Sequence, residues 1–167
     1  GDKGHTGNQP NEGIAYVFEK NPTTTQWELA ATFNNPGNTV NSFGISVTIS
    51  GNVALVGDRL GEINSIAGGS VYAYQRNPAT GVWEFNQALI PPISNANDYF
   101  GNKLQLRGRK LLAASDVADS NGTNSGSVFA FEMDEACYIN TCEPVIESIE
   151  CLPYSGSNAN EIILSIE

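Results

Sequence analysis

Gly69-Ser70-Val71-Tyr72-Ala73-Tyr74 decides the fold, because the same pattern occurs three times in the chain. Gly13-Ile14-Ala15-Tyr16-Val17-Phe18 precedes it by 56 residues, and Gly126-Ser127-Val128-Phe129-Ala130-Phe131 follows it by 57. Asn21-Pro22 and Trp27-Glu28 return as Asn77-Pro78 and Trp83-Glu84, and Phe43-Gly44 returns as Phe100-Gly101. Several independent anchors in one register define an internal repeat of fifty-odd residues.

Working outward, one unit reads as four short strands. In 44–49, Ile45, Val47 and Ile49 alternate with Ser46 and Thr48; 53–57 is an apolar run after the turn Ser50-Gly51-Asn52. The third strand is 70–76 and the fourth 82–89, joined by the hairpin Asn77-Pro78-Ala79-Thr80-Gly81. The middle two are apolar on both faces, with Val53, Ala54, Leu55 and Val56 contiguous and Val71, Tyr72, Ala73 and Tyr74 likewise. A sheet covered on one side only would alternate instead. Burial on both faces suits the stacked sheets of a β-propeller; tandem β-sandwich modules are the alternative. Val71 and Tyr72 are therefore both expected to be shielded from water.

The expected fold class is all-β, with blades of four antiparallel strands forming a partial propeller of about two to three blades over residues 1–132. Gly1-Asp2 is in phase with Gly57-Asp58, so the chain starts inside a unit. The third copy supplies 101–106, 110–114 and 127–132, after which no Asn-Pro hairpin or Trp-Glu strand follows. The propeller is expected to end near Glu132, with its last strand supplied from elsewhere. Residues 133–144 are expected to form a linker and 145–167 the start of a truncated β-rich module.

Composition narrows the function classes. Of 167 residues, 40% are hydrophobic and 16% charged, which suits a packed core and not disorder. A net charge of −10 repels phosphate backbones, so nucleic acid is not an expected partner. No apolar run approaches the roughly 20 residues that span a bilayer, so membrane insertion is not expected either. Trp27, Trp83, Tyr16, Tyr72 and Tyr74 recur at the repeat period, which points to packing between sheets over a carbohydrate-stacking platform.

Oxygen ligands alternate in the stretch 116–124. Asp116, Asp119, Asn121 and Thr123 are the candidate Ca²⁺ ligands, with Gly122 allowing a sharp turn. The alternative is an Asx-rich turn without metal. The equivalent stretches 2–8 and 58–62 include the cationic side chains Lys3 and Arg59. His5, the sole histidine, lies in a polar Gly-rich segment and reads as a solvated turn residue. No nucleophile-elbow, zinc-protease or phosphate-cradling motif is present, so the chain is not expected to be an enzyme. Cys137, Cys142 and Cys151 are confined to the tail. A disulfide between Cys137 and Cys142 suits an oxidising, extracellular setting; zinc is the alternative use.

Phe43-Gly44, a strand, Ser50-Gly51-Asn52, Val53-Ala54-Leu55-Val56-Gly57, a variable loop and then Gly69-Ser70-Val71-Tyr72-Ala73-Tyr74 resembles the FG-GAP repeat. That repeat builds the propellers of integrin α-subunits and of many bacterial surface proteins, and the Trp-Glu strand and Asn-Pro hairpin are more like the bacterial branch. The resemblance implies a seven-bladed propeller, a secreted or cell-surface location and a role in adhesion. Two departures stand out. The family's Gly-Ala-Pro is Gly57-Asp58-Arg59 here and Ala114-Ser115-Asp116 in the third copy, and the Asp-x-Asp-x-Asp-Gly calcium loop is nowhere intact. The expected function is a non-catalytic binding module whose connectors 58–68, 91–98 and 116–125 meet a protein or a glycan. A self-associating structural subunit of an extracellular assembly, and an accessory domain of a secreted hydrolase, are the alternatives.

Overall fold

A computed structural model describes residues 1–4, 12–37, 42–92, 94–119 and 122–133, and the backbone of 146–151. It is all-β: β1 (Ile14–Lys20), β2 (Trp27–Asn34), β3 (Ser46–Ser50), β4 (Val53–Asp58), β5 (Ser70–Arg76), β6 (Trp83–Leu89), β7 (Phe100–Arg107), β8 (Lys110–Ser115), β9 (Ser127–Met133) and β10 (Ile146–Cys151). They form three antiparallel sheets: β1-β2, then β3-β4-β5-β6, then β10-β9-β8-β7. The three repeat copies thus become three sheets in sequence order, and the observed strands lie within a residue or two of the expected ones. His5, Asn121, Cys137 and Cys142 lie outside the described residues.

Both faces of β4 and β5, the central strands of the middle sheet, are buried, as the unbroken apolar runs require. Val71 is 0% exposed and Tyr72 3%. Because successive side chains point to opposite faces, the residues sort cleanly. Val53, Leu55, Val71, Ala73 and Leu89 join Phe100, Leu106, Ala113, Phe129 and Phe131 of the third sheet in one core. Ala54, Val56, Tyr72 and Tyr74 join Ala15, Val17 and Phe33 of the first sheet in the other. Each contact has the same polarity: the aromatic face of one sheet lies on the small-residue face of the sheet before it. The Phe33 ring stacks on Tyr74 with centroids 3.9 Å apart, and Trp83 meets it edge-on at 5.9 Å.

Backbones touch where the sheets meet. Isolated parallel bridges join Gly13 to Phe43 and Gly69 to Phe100. Gly69 has φ +96°, and a Cβ there would collide with the Phe100 carbonyl oxygen, so both conformation and space demand glycine. Ser46 Oγ donates to the Gly101 carbonyl at 2.6 Å, and Leu106 N–H donates to Thr48 Oγ1 at 3.1 Å, so β3 also bonds the next sheet through its small polar face.

Three findings depart from the sequence reading. Trp27 is 69% exposed and Tyr16 42%, outside the inter-sheet core where the repeat placed them. Their equivalents Trp83 and Tyr72 are covered by the first sheet, but no described sheet covers the corresponding face of β1-β2. Second, the hairpins are not simple ladders. Pairing slips between Val17 and Phe18 and again between Ala73 and Tyr74, leaving Ala30 and Asn86 as extra residues on the outer strands. The slip turns Trp27 and Leu29 to the same face as Tyr16 and Phe18. Third, β10 runs antiparallel to β9 with Ile146 opposite Met133 and Cys151 opposite Phe129. A segment assigned to a further module thus holds the fourth place in the third sheet, a place the repeat pattern had left to a strand from elsewhere.

The first sheet has two described strands, and a cleft of about 190 Å³ lies between β1 and the middle sheet, lined by Ala15, Val17, Phe33, Val47, Ile49 and Ala54. That opening accounts for the half-exposure of Val47 and Ile49 on β3.

Phe100 is fully buried between the middle and third sheets, with its ring 5.6 Å from Phe129 and 6.0 Å from Phe131. Phe100→Ala is expected to lower unfolding stability by about 3–5 kcal/mol, read from urea unfolding followed by tryptophan fluorescence. A loss below about 1 kcal/mol would mean that this inter-sheet core is not formed.

Candidate functional site

The connectors divide sharply between the two ends of the sheets. At one end the turns are tight. Asn21 Oδ1 accepts Thr23 N–H (2.9 Å) and Thr24 N–H (3.1 Å), and Asn77 Oδ1 accepts Ala79 N–H (2.9 Å) and Thr80 N–H (3.2 Å). These Asx turns explain why both hairpins open with asparagine. At the other end lie the β4–β5 connector 59–69, the β6–β7 connector 90–99 and the β8–β9 connector 116–126.

Two of those long connectors are zipped together. Asn97 N–H donates to the Ala67 carbonyl (2.9 Å) and Phe100 N–H to the Gly68 carbonyl (2.9 Å). Asp98 is buried, and its Oδ2 accepts the Asn95 N–H at 2.8 Å. Ile63 and Ile66 exchange backbone bonds across Asn64 and Ser65, both at positive φ, a two-residue turn whose hand matches strand twist. The Arg59 guanidinium sits 5.4 Å from the centroid of the Tyr99 ring. The result is a rim of ordered backbone carrying exposed Glu62, Asn64, Ser65, Ile66, Ala96 and Asn97.

Asp58, at the end of β4, ties the rim to the sheets. It is fully buried. Its Oδ1 accepts the Ser42 N–H at 2.9 Å and the Leu60 N–H at 3.3 Å, while Oδ2 accepts Asn35 Nδ2 at 3.3 Å. One carboxyl thus fastens the crossover from the first sheet and the start of its own loop. Burial pushes its pKa up from 3.8 to about 6, against the opposing pull of the hydrogen bonds from Ser42, Leu60, Asn35 and Gly61. Burial likewise raises the Tyr72 hydroxyl, with the nearby Asp58 charge adding to it. Burial also raises Tyr74, whose hydroxyl donates to the Asn34 carbonyl at 3.3 Å. The sequence reading treated Asp58 as a departure from a family motif. Its signal was an acid closing an all-apolar strand, in phase with Asp2.

The candidate calcium loop is only partly described. Asp116 Oδ2 accepts Asn102 Nδ2 at 2.8 Å, and Asp119 Oδ1 accepts the Asn124 N–H in a short 2.6 Å bond. Gly126 N–H donates to the Ala118 carbonyl at 2.9 Å, closing the turn. Thr123 is exposed, and Asn121 is outside the described residues. Among the described residues no three His, Cys, Asp or Glu side chains come together as a metal-holding group. By these bonds Asp119 caps a turn and Asp116 anchors the loop to β7. No helix of the described residues is long and apolar enough to cross a membrane.

Residues 34–74 match the FG-GAP repeat. The matched span runs from the end of β2 through β5 and contains Asn35, Ser42, the Phe43-Gly44 pair and Asp58. No curated protein matches the chain.

The shifted carboxyl gives a signed pH effect. Asp58 holds its proton to about pH 6 in the fold and releases it near 3.8 when unfolded. Its contribution to stability is therefore full below pH 3.8 and is lost as pH rises through 6, up to about 3 kcal/mol in all. Urea unfolding at steps from pH 4 to pH 7 is expected to show this decline, and Asp58→Asn to flatten it. An equal slope in the variant would remove Asp58 as its source.

Proposed function

We propose that this chain is a non-catalytic binding or adhesion module, secreted or displayed at a cell surface, whose long-connector rim recognises a protein or a glycan. The observation that carries this reading is the asymmetry of the connectors. Short Asx turns close one end of the sheets, and long connectors, 59–69, 90–99 and 116–126 among them, leave from the other. A rigid scaffold that presents long loops on one side is how recognition surfaces are commonly built. The match to the FG-GAP repeat supports it, since such repeats often serve in binding or adhesion. The integrin-like bacterial branch is part of the same proposal and rests on the Trp-Glu strands and Asn-Pro hairpins.

The rim also suits binding chemically. Beside the Glu62 carboxylate, its exposed groups include the amides, hydroxyl and aliphatic chain of Asn64, Ser65, Ile66 and Asn97. These groups make neutral hydrogen bonds and small apolar contacts, as a sugar ring or a peptide backbone requires. Asp58 and Asp98 are both buried, with their described bonds going to neighbouring protein groups, which supports a structural role for these acids over a catalytic one. A Ca²⁺ ion near Asp116 and Asp119 belongs to the same proposal, as a brace for the third connector.

A rim variant carrying Glu62→Ala, Ile66→Ala and Ala96→Arg tests the reading against arrayed glycans and a panel of extracellular-matrix proteins. Binding is expected to fall at least about tenfold, with the thermal midpoint unchanged within a few degrees. Thr23→Ala, at the tight-turn end, is expected to bind normally. Full binding by the folded rim variant would overturn the assignment.

A further inference from the structure

Carboxylates outnumber cations in this chain, 18 to 8, yet a half-buried guanidinium on the rim pairs with none of those described. It belongs to Arg59, the first residue of the β4–β5 connector. Asp58, beside it in sequence, spends its oxygens on Ser42, Leu60 and Asn35. Asp98 accepts from Asn95, and Asp116 from Asn102. Arg59 Nε is buried, and among the described residues it has no hydrogen-bond partner. A donor withdrawn from water without a partner is costly, so its presence calls for a reason.

What Arg59 does have is the Tyr99 ring, whose centroid lies 5.4 Å from the guanidinium carbon. Tyr99 holds φ +60°, a conformation that bulky side chains rarely take, and Asn97 holds φ +68°. Buried Asp98 between them, the Asn97 N–H on the Ala67 carbonyl (2.9 Å) and the Asn102 N–H on the Tyr99 carbonyl (3.2 Å) keep this knuckle in shape. Strain of this kind clusters where ligands are clamped. A ring against its face leaves the edge of a guanidinium, with its fork of N–H donors, for a planar anion.

The fold does not ask for this pair. At the junction of the first and middle sheets the equivalent positions are Lys3 and Ser42, and Ser42 gives its N–H to Asp58 instead. In the third copy the position of Arg59 is taken by Asp116. Among the three copies, a guanidinium on a ring is peculiar to the junction of the middle and third sheets, where the two connectors are bonded together.

One such cation in an acidic chain favours a ligand of low charge density. A net charge of −10 repels heavily sulfated or phosphorylated polymers, whereas one carboxylate matches one guanidinium. The same two connectors expose Asn64, Ser65 and Asn97, whose amides and hydroxyl suit the hydroxyls of a sugar ring. We infer that Arg59, backed by Tyr99, is the anion-binding point of the rim and takes the carboxylate of an acidic sugar, uronic or sialic. This deepens the rim reading given above and rests on it.

Isothermal titration calorimetry of the whole chain tests it at about 50 mM salt, where surface charges are only partly screened. The probes are trigalacturonate and sialyllactose, with carboxyl-reduced trigalacturonate and lactose as their neutral counterparts. At least one acidic probe is expected to bind, and its neutral counterpart at least about tenfold more weakly. Arg59→Gln is expected to cut binding of the acidic probe about tenfold, with an unchanged circular dichroism spectrum. Lys20→Gln, the same loss of charge at the tight-turn end, is expected to bind as the unmodified chain does. In nitrogen–proton correlation spectra the Arg59 Nε–H signal should move with the acidic probe and stay in place with the neutral one. No binding of either acidic probe at up to about 5 mM overturns the inference. So does equal affinity for the neutral counterpart, or undiminished binding by folded Arg59→Gln. Tighter binding of triglutamate than of either sugar overturns it too, in favour of an acidic peptide. The rim reading is judged separately, because the variant carrying Glu62→Ala, Ile66→Ala and Ala96→Arg keeps Arg59 and Tyr99.

Discussion

The aromatic rings of one sheet lie mainly on small residues of the sheet before it, the Phe33–Tyr74 stack being the exception, and most of the structure follows from that packing. Stacked sheets sit about 10 Å apart, so rings from both sides at every position would not fit. Tyr72 and Tyr74 therefore face Ala15 and Val17, while Val71 and Ala73 face Phe129 and Phe131. The same constraint reaches the backbone at Gly57, where an added Cβ would strike the Gly101 carbonyl oxygen and Ser46 Oγ. Ala114, the equivalent residue of the third sheet, has no described sheet beyond it and keeps its methyl group.

Stacking sets the loops as well as the core. Neighbouring sheets bring the β4–β5 and β6–β7 connectors close enough to bond, and Gly69 beside Phe100 marks the place where they meet. Asp58 then fixes the crossover from the first sheet through Ser42 and Asn35. A buried carboxyl is a costly choice for that task unless each oxygen is satisfied, and here both accept hydrogen bonds. The rim owes its order to this clasp, and order before contact is what lets a loop bind without losing much conformational entropy.

Much of this was legible in the amino-acid order. Runs such as Val53 to Val56 and Val71 to Tyr74 have no polar alternation, and only two-sided burial accounts for them. The boundaries of β5 follow directly from its recurring pattern. Trp27 and Tyr16 were misread because equivalence between copies fixes which face a side chain takes, while exposure depends on whether a neighbour covers that face. Asp58 was passed over because its burial arises from residues 35 and 42, in a different unit. The outer-strand slip was invisible for a related reason: Ala30 and Asn86 are unremarkable residues, and their extra position shows only in the pairing. Asp116 and Asp119 had the composition of a metal loop, and their partners Asn102 and Asn124 could be assigned only from the fold.

That slip has a consequence for how the repeat tolerates change in length. A strand normally keeps one set of side chains on one face throughout. Here the outer strand sends Phe33 and Ala31 to one side and Leu29 and Trp27 to the other, so a single stretch supplies apolar groups to both faces. Loss of Ala30 would turn the bulge into a regular ladder in which Phe18 still faces Leu29 and Lys20 still faces Trp27, so every side chain would keep its side. Loss of Glu28 instead would leave the bulge and carry Trp27 across to the opposite surface, so one residue of this strand is a dispensable spacer and its near neighbour is not.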